Sequence, residues 1–174
     1  IKHFTCIAVN PKEANNESLS MEVINNMEEY LKRESVVAIG EIGFDKITET
    51  EERVFRKQME LAMKYDLLML IHTPHNNKPR GTERILRIIE DMGAPQDRII
   101  VDHNTEETIE MTRSLNVWAG HTIYPTKLSP ERTVAILKKY GTDRMLINSS
   151  ADWGPSDPIA VPRTALLMRK EGFS

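Results

Sequence analysis

The amino-acid sequence predicts an α/β fold built on parallel strands, and three observations support this. Short apolar runs alternate with amphipathic segments along the 174 residues. Glu41, His72 and His103 each close one of these runs and follow one another at intervals of 31 residues, about the length of one βα unit. No glycine-rich phosphate loop follows any run. Together these observations favour a (β/α)8 barrel of the TIM type over an open doubly wound sheet.

Six segments have the character of buried parallel strands, because they are short, apolar on both faces and rich in β-branched residues, leucine or methionine. They are Thr5–Val9, Val36–Glu41, Leu67–His72, Arg98–His103, Val117–His121 and Met145–Ser149. A complete eight-stranded barrel takes about 250 residues. The chain begins at Ile1 rather than methionine, so we expect the first two units to be missing upstream. Residues 1–174 are expected to form one partial barrel domain.

Helix signals lie between the predicted strands. The first helix is predicted over about Ser20 to Lys32. Its expected buried positions are Val23, Met27 and Leu31. Thr48 and Glu51 have the spacing of a capping box, in which each side chain accepts a hydrogen bond from the other residue's backbone, and they predict the start of the second helix.

The later helices are predicted from residues that commonly begin or end a helix. Thr82 and Thr105 each precede acidic residues that suit a helix N-terminus. Ser129 followed by Pro130 is a cap with proline at the first helical position. That helix is predicted to end at Gly141, a residue type that commonly follows the last turn.

The overall composition excludes several classes of protein. The net charge is -3 and the pI is near 6.0, so no general nucleic-acid-binding surface is expected, although a local basic rim around one pocket is compatible with these values. Cys6 is the single cysteine, which rules out an internal disulfide and fits a reducing compartment. No run approaches the length of a membrane span or resembles a secretory signal. These features predict a cytoplasmic protein without membrane partners.

Polar residues at the strand ends predict a metal site. The carboxyl ends of parallel strands share one edge of the sheet, where α/β folds hold their chemistry. Glu41, His72 and His103 are therefore expected to converge there, and Asp152, 49 residues after His103, extends the set. Imidazole and carboxylate ligands together suit zinc, manganese or iron, whereas magnesium prefers oxygen ligands alone.

These residues lie in motifs that resemble those of a known family, the TatD-related metal-dependent hydrolases of the amidohydrolase superfamily. The motifs are Gly40-Glu41-Ile42-Gly43-Phe44-Asp45, Ile71-His72, Asp102-His103 and Ser150-Ala151-Asp152. The resemblance extends from the third strand of that barrel to the eighth. The His-x-His of the family's first strand, which completes the first metal site, does not occur in this chain.

The resemblance implies a role for each matching residue. Glu41 would bridge two divalent metal ions, and His72 and His103 would bind the second of them. Asp152 would bind the first ion and accept a proton from the attacking water, so Asp152 and Glu41 are the predicted catalytic residues. The implied cofactors are two divalent ions, with zinc the first choice and manganese or magnesium as alternatives.

The predicted function is metal-dependent hydrolysis by a water activated at a two-metal site. A phosphodiester is the first candidate substrate, as in a deoxyribonuclease, so the expected partner is a nucleic-acid end or a small molecule. The alternatives are an amidohydrolase acting on a C–N bond, or a non-catalytic metal-binding or interaction protein on a decayed barrel. Four residues are candidate substrate contacts: His75, Arg80, His121 and Lys127. A phosphodiesterase should have an anion site near them, whereas an amidohydrolase pocket should be more enclosed and less basic. The oligomeric state stays open.

Overall fold

The computed structural model describes residues 2–150 and 154–173. In these residues six parallel strands form one sheet in the order β1-β2-β3-β4-β5-β6. The strands are β1 Thr5–Ile7, β2 Val36–Gly43, β3 Leu68–His72, β4 Ile99–Asp102, β5 Trp118–Ile123 and β6 Met145–Ser149. Neighbours in the sheet are neighbours in the chain, as in a barrel, whereas a doubly wound sheet reverses its strand order at a switch point. The six predicted parallel strands are confirmed.

Helices alternate with these strands. They are α1 Glu17–Met27, α2 Glu49–Lys64, α3 Lys78–Asp91, α4 Ile109–Thr112, α5 Pro130–Tyr140 and α6 Ala160–Lys170, with a short 3₁₀ helix over Gln96–Arg98. None of the helices in the described ranges has the length and the apolar content that crossing a membrane requires. Helix α6 was not predicted from the sequence.

Three strands, β1, β2 and β5, end two residues away from their predicted positions, and β2 continues to Gly43 rather than ending at Glu41. β1 ends at Ile7 rather than Val9, because the backbone groups of Val9 bond to the buried side chain of Gln58 instead of a neighbouring strand. Val9 N donates to Gln58 Oε1 at 2.6 Å, and Gln58 Nε2 donates to Val9 O at 3.1 Å. β5 continues to Ile123, two residues beyond the predicted end at His121.

The predicted caps of α2 and α5 are confirmed. Glu51 N donates to Thr48 Oγ1, and the Glu51 carboxylate accepts from Thr48 N, which completes the capping box. The Ser129 side chain accepts from Arg132 N at the start of α5, and Gly141 ends that helix with a φ of 80°.

Three helix predictions were wrong in detail. α1 ends at Met27, and Val23 is 40% exposed rather than buried. α3 begins at Lys78 after the left-handed Asn77, so Thr82 lies fully buried inside the helix and does not cap it. The segment after Thr105 first makes a turn, and α4 forms only over Ile109–Thr112.

The core consists of two groups of side chains beside the sheet. The larger group joins the first four strands to α1, α2 and α3, and its fully buried members include Phe44, Phe55, Met59, Met69, Ile85 and Ile99. The smaller group lies beside β5 and includes Ala119, Ile123, Ile136 and Ala160. Together the two groups hold the strands in place, and the strand ends position the site.

Candidate metal centre

The sheet register brings the three periodic residues together. Gly43 of β2 is opposite His72 of β3, and His72 is opposite Asp102 of β4. Glu41 lies near the end of β2, His72 ends β3, and His103 follows β4 directly. The 31-residue period therefore corresponds to one step across the sheet, as the sequence predicted.

Potential ligand atoms of these three side chains all lie within 4.8 Å of one another. His103 Nε2 is 3.2 Å from Glu41 Oε1, and His72 Nδ1 is 3.8 Å from Glu41 Oε2. The two imidazole rings stand edge to face with centroids 4.7 Å apart. One cation could contact all three side chains after small side-chain movements.

The protonation states suit a divalent cation. Burial lowers the pKa of His72 to about 3, so its ring is neutral and can offer a lone pair. Contact with His103, whose Nε2 lies 3.2 Å from Glu41 Oε1, is the main reason that the pKa of Glu41 is lowered to about 2, so this carboxylate is ionised. His72 Nδ1 is buried and has no hydrogen-bond partner among the described residues. A buried imidazole nitrogen without a partner is costly, and a metal ion would satisfy it.

Gly43 allows the end of β2 to approach β3 closely. Its φ is +131°, and a Cβ placed on it would lie 2.4 Å from the carbonyl oxygen of His72. A side chain at this position would collide with the backbone of a candidate ligand. The glycine that follows Glu41 in the sequence is therefore a packing requirement of the site.

His103 is held by a buried polar cluster inside the sheet. Its backbone N donates to Asp102 Oδ1 at 2.7 Å, and its ring Nδ1 is 2.6 Å from Thr122 Oγ1. Asp102 Oδ1 also accepts from Asn148 Nδ2 at 2.8 Å. Neither Thr122 nor Asn148 was predicted from the sequence to belong to the site. The sequence feature that could have indicated them is their position in strands predicted beside those of the site.

A cavity of about 490 Å³ opens over the three candidate ligands. Besides those ligands, its lining comprises Asn10, Lys12, Glu13, Lys127, Ser149 and Ser150. Lys127 Nζ lies 3.1 Å from His103 Nδ1 and 3.2 Å from His103 Nε2. The structure thus places Lys127, a predicted substrate contact, beside the predicted metal ligands.

A second basic residue, Lys78, was not among the predicted contacts. It lines an adjoining cavity of about 330 Å³ together with His75 and Lys127. Lys78 Nζ donates to Thr73 Oγ1 at 2.9 Å. Burial, followed by the charge of Lys127, lowers its pKa to about 8. The polar segment after His72 indicated that basic residues lie near the site. The sequence did not indicate which of them lines the cavity.

Two predicted contacts lie away from these cavities, and one predicted ligand is not described. Arg80 is exposed on α3 and lines neither cavity. His121 lines neither of these cavities; its side chain is fully buried and shares its strand face with Ala119 and Ile123 of the smaller core group. Asp152 lies outside the described residues.

Comparison with known proteins establishes the family. A model of the family described as TatD related DNase matches residues 1–162. The chain belongs to this family. An uncharacterized metal-dependent hydrolase of Methanocaldococcus jannaschii is 34% identical to this TatD-family chain over 151 residues, which are 86% of the chain and 59% of that protein.

Solved structures confirm the barrel class. A TatD-like protein from Archaeoglobus fulgidus superimposes on this TatD-family chain with a TM-score of 0.77 and 28% identity, over 96% of the chain and 65% of that structure. A TatD homologue from Escherichia coli gives a TM-score of 0.70 at 19% identity, over 96% of the chain and 68% of that structure. The six parallel strands are thus part of a TIM-type barrel, and the chain spans about three fifths of the length of the curated relative.

Proposed function

We propose that the whole protein is a metal-dependent hydrolase and that Glu41, His72 and His103 hold one divalent cation. The observation that supports this most strongly is the convergence of their ligand atoms within 4.8 Å, around a buried His72 nitrogen that has no hydrogen-bond partner in the part of the chain that the structure describes. When bound, a divalent cation supplies Lewis acidity, which makes water a better nucleophile and offsets charge building up on the substrate. Zinc suits this mixture of nitrogen and oxygen ligands best, with manganese as the next choice.

The chain's own residues have distinct tasks in this proposal. Glu41 supplies negative charge near the end of β2, and His72 and His103 supply imidazole nitrogens at the ends of the next two strands. Asp152 is proposed, from the family resemblance, to bind a second cation and to take the proton of the attacking water. Glu41 would then hold both cations.

We propose an anionic substrate, with a phosphodiester such as that of DNA as the first candidate. Lys127 lies at the ligands and Lys78 lines the adjoining cavity with His75. These cations match the basic rim expected of a phosphodiesterase rather than the less basic pocket of an enzyme acting on a neutral C–N bond. Hydrolysis would add water across one P–O bond and give a phosphate monoester and an alcohol.

Metal binding and hydrolysis by the full-length protein test this function. The chelator-treated protein would be titrated with zinc and manganese ions, and then assayed on bis(p-nitrophenyl) phosphate, end-labelled DNA and a panel of anilides. We expect Glu41→Gln and His72→Ala to weaken metal binding by more than the 10–100-fold typical of residues that only support a ligand, and to abolish hydrolysis.

The control is Glu60→Gln, which changes an exposed carboxylate on α2 and should leave both properties unchanged. Full metal affinity and activity in Glu41→Gln would refute the proposal. Cleavage of anilides without cleavage of either phosphodiester would replace the phosphodiester with a C–N bond as substrate.

A further inference from the structure

The ring of His103 lies between two sets of polar atoms. On one side, Nε2 is 3.2 Å from Glu41 Oε1. On the other side, Nδ1 is 2.6 Å from Thr122 Oγ1 and 3.4 Å from Asp102 Oδ2. His103, Thr122 and Asp102 are exposed by 5%, 1% and 4%, so water does not compete freely for these contacts. A neutral imidazole carries a single proton, and its neighbours decide which nitrogen has it.

Acceptors lie on both sides of the ring, and those at Nδ1 are favoured: Thr122 Oγ1 lies 2.6 Å from Nδ1 with Asp102 Oδ2 at 3.4 Å, whereas Nε2 has Glu41 Oε1 at 3.2 Å. Thr122 has one hydroxyl proton, and an ionised Asp102 carboxylate can only accept. Thr122 Oγ1 lies 3.3 Å from Asp102 Oδ1 and donates to it. The Thr122 oxygen is then free to accept from His103 Nδ1. Lys127 Nζ is almost equally far from both ring nitrogens and does not select between them.

Asp102 is itself fixed in place from three strands. Its Oδ1 accepts from the backbone of His103 on its own segment, from Thr122 of β5 and from Asn148 of β6. It also occupies space that only glycine leaves open, because a Cβ on Gly120 would be 2.3 Å from Oδ1. A carboxylate anchored in this way is a rigid acceptor at the end of the hydrogen-bond chain that starts at His103 Nδ1 and passes through Thr122.

We infer that Thr122 and Asp102 are positioning residues for His103, which retain its proton on Nδ1 and thereby present the Nε2 lone pair to the cation site. The inference rests on the proposed function, since it assigns a purpose to Nε2 there. Metal-binding histidines commonly donate their second ring N–H to an oxygen acceptor, and loss of that acceptor typically costs 10–100-fold in metal affinity. Here the acceptor is a threonine hydroxyl backed by a carboxylate.

The position of the proton can be measured without any metal. Long-range ¹H–¹⁵N spectra of the histidine rings, recorded for the metal-free full-length protein with neutral imidazole, identify which nitrogen is protonated. We expect the His103 proton on Nδ1 in the wild type. Thr122→Val keeps the shape of the side chain but removes the hydroxyl, and Asp102→Asn replaces one carboxylate oxygen with a donor. Both should move the proton, in whole or in part, to Nε2.

Metal affinity provides the second measurement. Zinc titration should show a 10–100-fold loss of affinity in Thr122→Val, and recovery of most of it in Thr122→Ser, which restores the hydroxyl. Thr133→Val is the matched control, because Thr133 is equally buried and its hydroxyl donates to the carbonyl oxygen of Ser129, the residue that caps α5. This control should keep wild-type affinity and an unchanged His103 spectrum.

The outcomes separate this inference from the proposed function. A wild-type His103 proton on Nε2, or unchanged zinc affinity in both Thr122→Val and Asp102→Asn, would overturn the inference while leaving a metal-dependent hydrolase possible. An Nδ1 proton that moves in both variants, in a protein that binds no zinc or manganese, would support the hydrogen-bond arrangement and overturn the metal site. A misfolded Thr122→Val leaves Thr122→Ser and Asp102→Asn to decide the question.

Discussion

Single atoms of buried side chains determine what the candidate centre can bind. His72 Nδ1 has no hydrogen-bond partner among the described residues, and Glu41 is ionised beside it. Glycines make this arrangement possible, because the backbone of His72 passes where a side chain at Gly43 would be. A ligand residue and a residue that must be glycine therefore lie close together in the sequence, at Glu41 and Gly43.

Gly120→Ala tests this dependence on space. The new methyl group would lie 2.3 Å from Asp102 Oδ1, so the carboxylate must move away from His103. We expect zinc affinity to fall by about 10-fold or more and stability by about 1–3 kcal/mol, measured by calorimetric titration and urea unfolding.

Gly141→Ala separates the two effects of that substitution. Nothing lies within 4 Å of a Cβ at Gly141, but its φ of +80° disfavours alanine. This variant should lose stability and keep zinc affinity. Equal zinc affinity in wild type and Gly120→Ala would contradict the role given to the position of Asp102.

His121 predicts a pH dependence of stability. Burial lowers its pKa in the folded state below 6.5, so the unfolded chain binds the proton more readily. Stability from this residue is therefore complete above about pH 6.5 and is lost as the pH falls below that value. Urea unfolding at pH 7.5 and 5.5 should show a smaller loss in His121→Gln than in the wild type. The same loss in both proteins would be evidence against this assignment.

At the scale of secondary-structure elements, one buried carboxylate connects β2 to α2. Glu51 is fully buried. It accepts from the backbone N of Asp45, Lys46, Ile47 and Thr48 and from the side chain of Asn15. The loop that follows Glu41 and Gly43 is thus fastened to the first turn of the next helix.

Glu51→Gln should loosen this loop. The amide group places a donor where backbone N–H groups already point, so at least one of them loses its acceptor. We expect a loss of about 2–3 kcal/mol in the free energy of unfolding, measured by urea denaturation. Glu52→Gln is a suitable comparison, because Glu52 makes ion pairs with Arg56 and Arg84 near the surface, and such pairs contribute about 0–1 kcal/mol. Equal losses in the two variants would refute the special role of Glu51.

Elements were predictable from sequence to different degrees. Strand positions followed from apolar runs and were found within one or two residues, since burial on both faces leaves a strong signal. Helix starts were correct where the cap is a local feature, as at Thr48 and Ser129. They were wrong at Thr82, because the turn at Asn77 depends on a left-handed backbone conformation that the sequence pattern did not indicate.

Site residues were likewise predictable where a local sequence pattern marks them and not where they depend on the sheet register. Glu41, His72 and His103 were predictable because each closes an apolar run at a fixed period. His121 was expected at the end of β5, but the strand continues to Ile123 and the side chain of His121 is fully buried. Thr122 and Asn148 contact His103 and Asp102 only through sheet register, which no local sequence pattern encodes.

For the molecule as a whole, metal binding should be coupled to stability. The candidate ligands come from three successive βα units, so a cation that binds them favours the folded state over the unfolded chain. With zinc at 100 times its Kd, the full-length protein should gain about 2.7 kcal/mol in unfolding free energy.

Thermal unfolding with and without a chelator would measure this gain as a shift in Tm. His72→Ala should show little or none of the shift, while Glu60→Gln should show all of it. A Tm that does not respond to zinc or manganese in the wild type would argue against a cation at the ends of these strands.

The parallel strands place the candidate ligands at one end of the sheet and leave the opposite end, where the strands begin, free of them. Glu41, His72 and His103 all emerge where β2, β3 and β4 finish, whereas the exposed Glu34 precedes the start of β2. The strand from Val36 to Glu41 spans about 16 Å, and Glu34 lies in the turn before it. A fluorophore, an affinity handle or a surface tether fixed at Glu34 would therefore leave the opening above the ligands clear, so immobilised protein could be screened against long polymeric substrates.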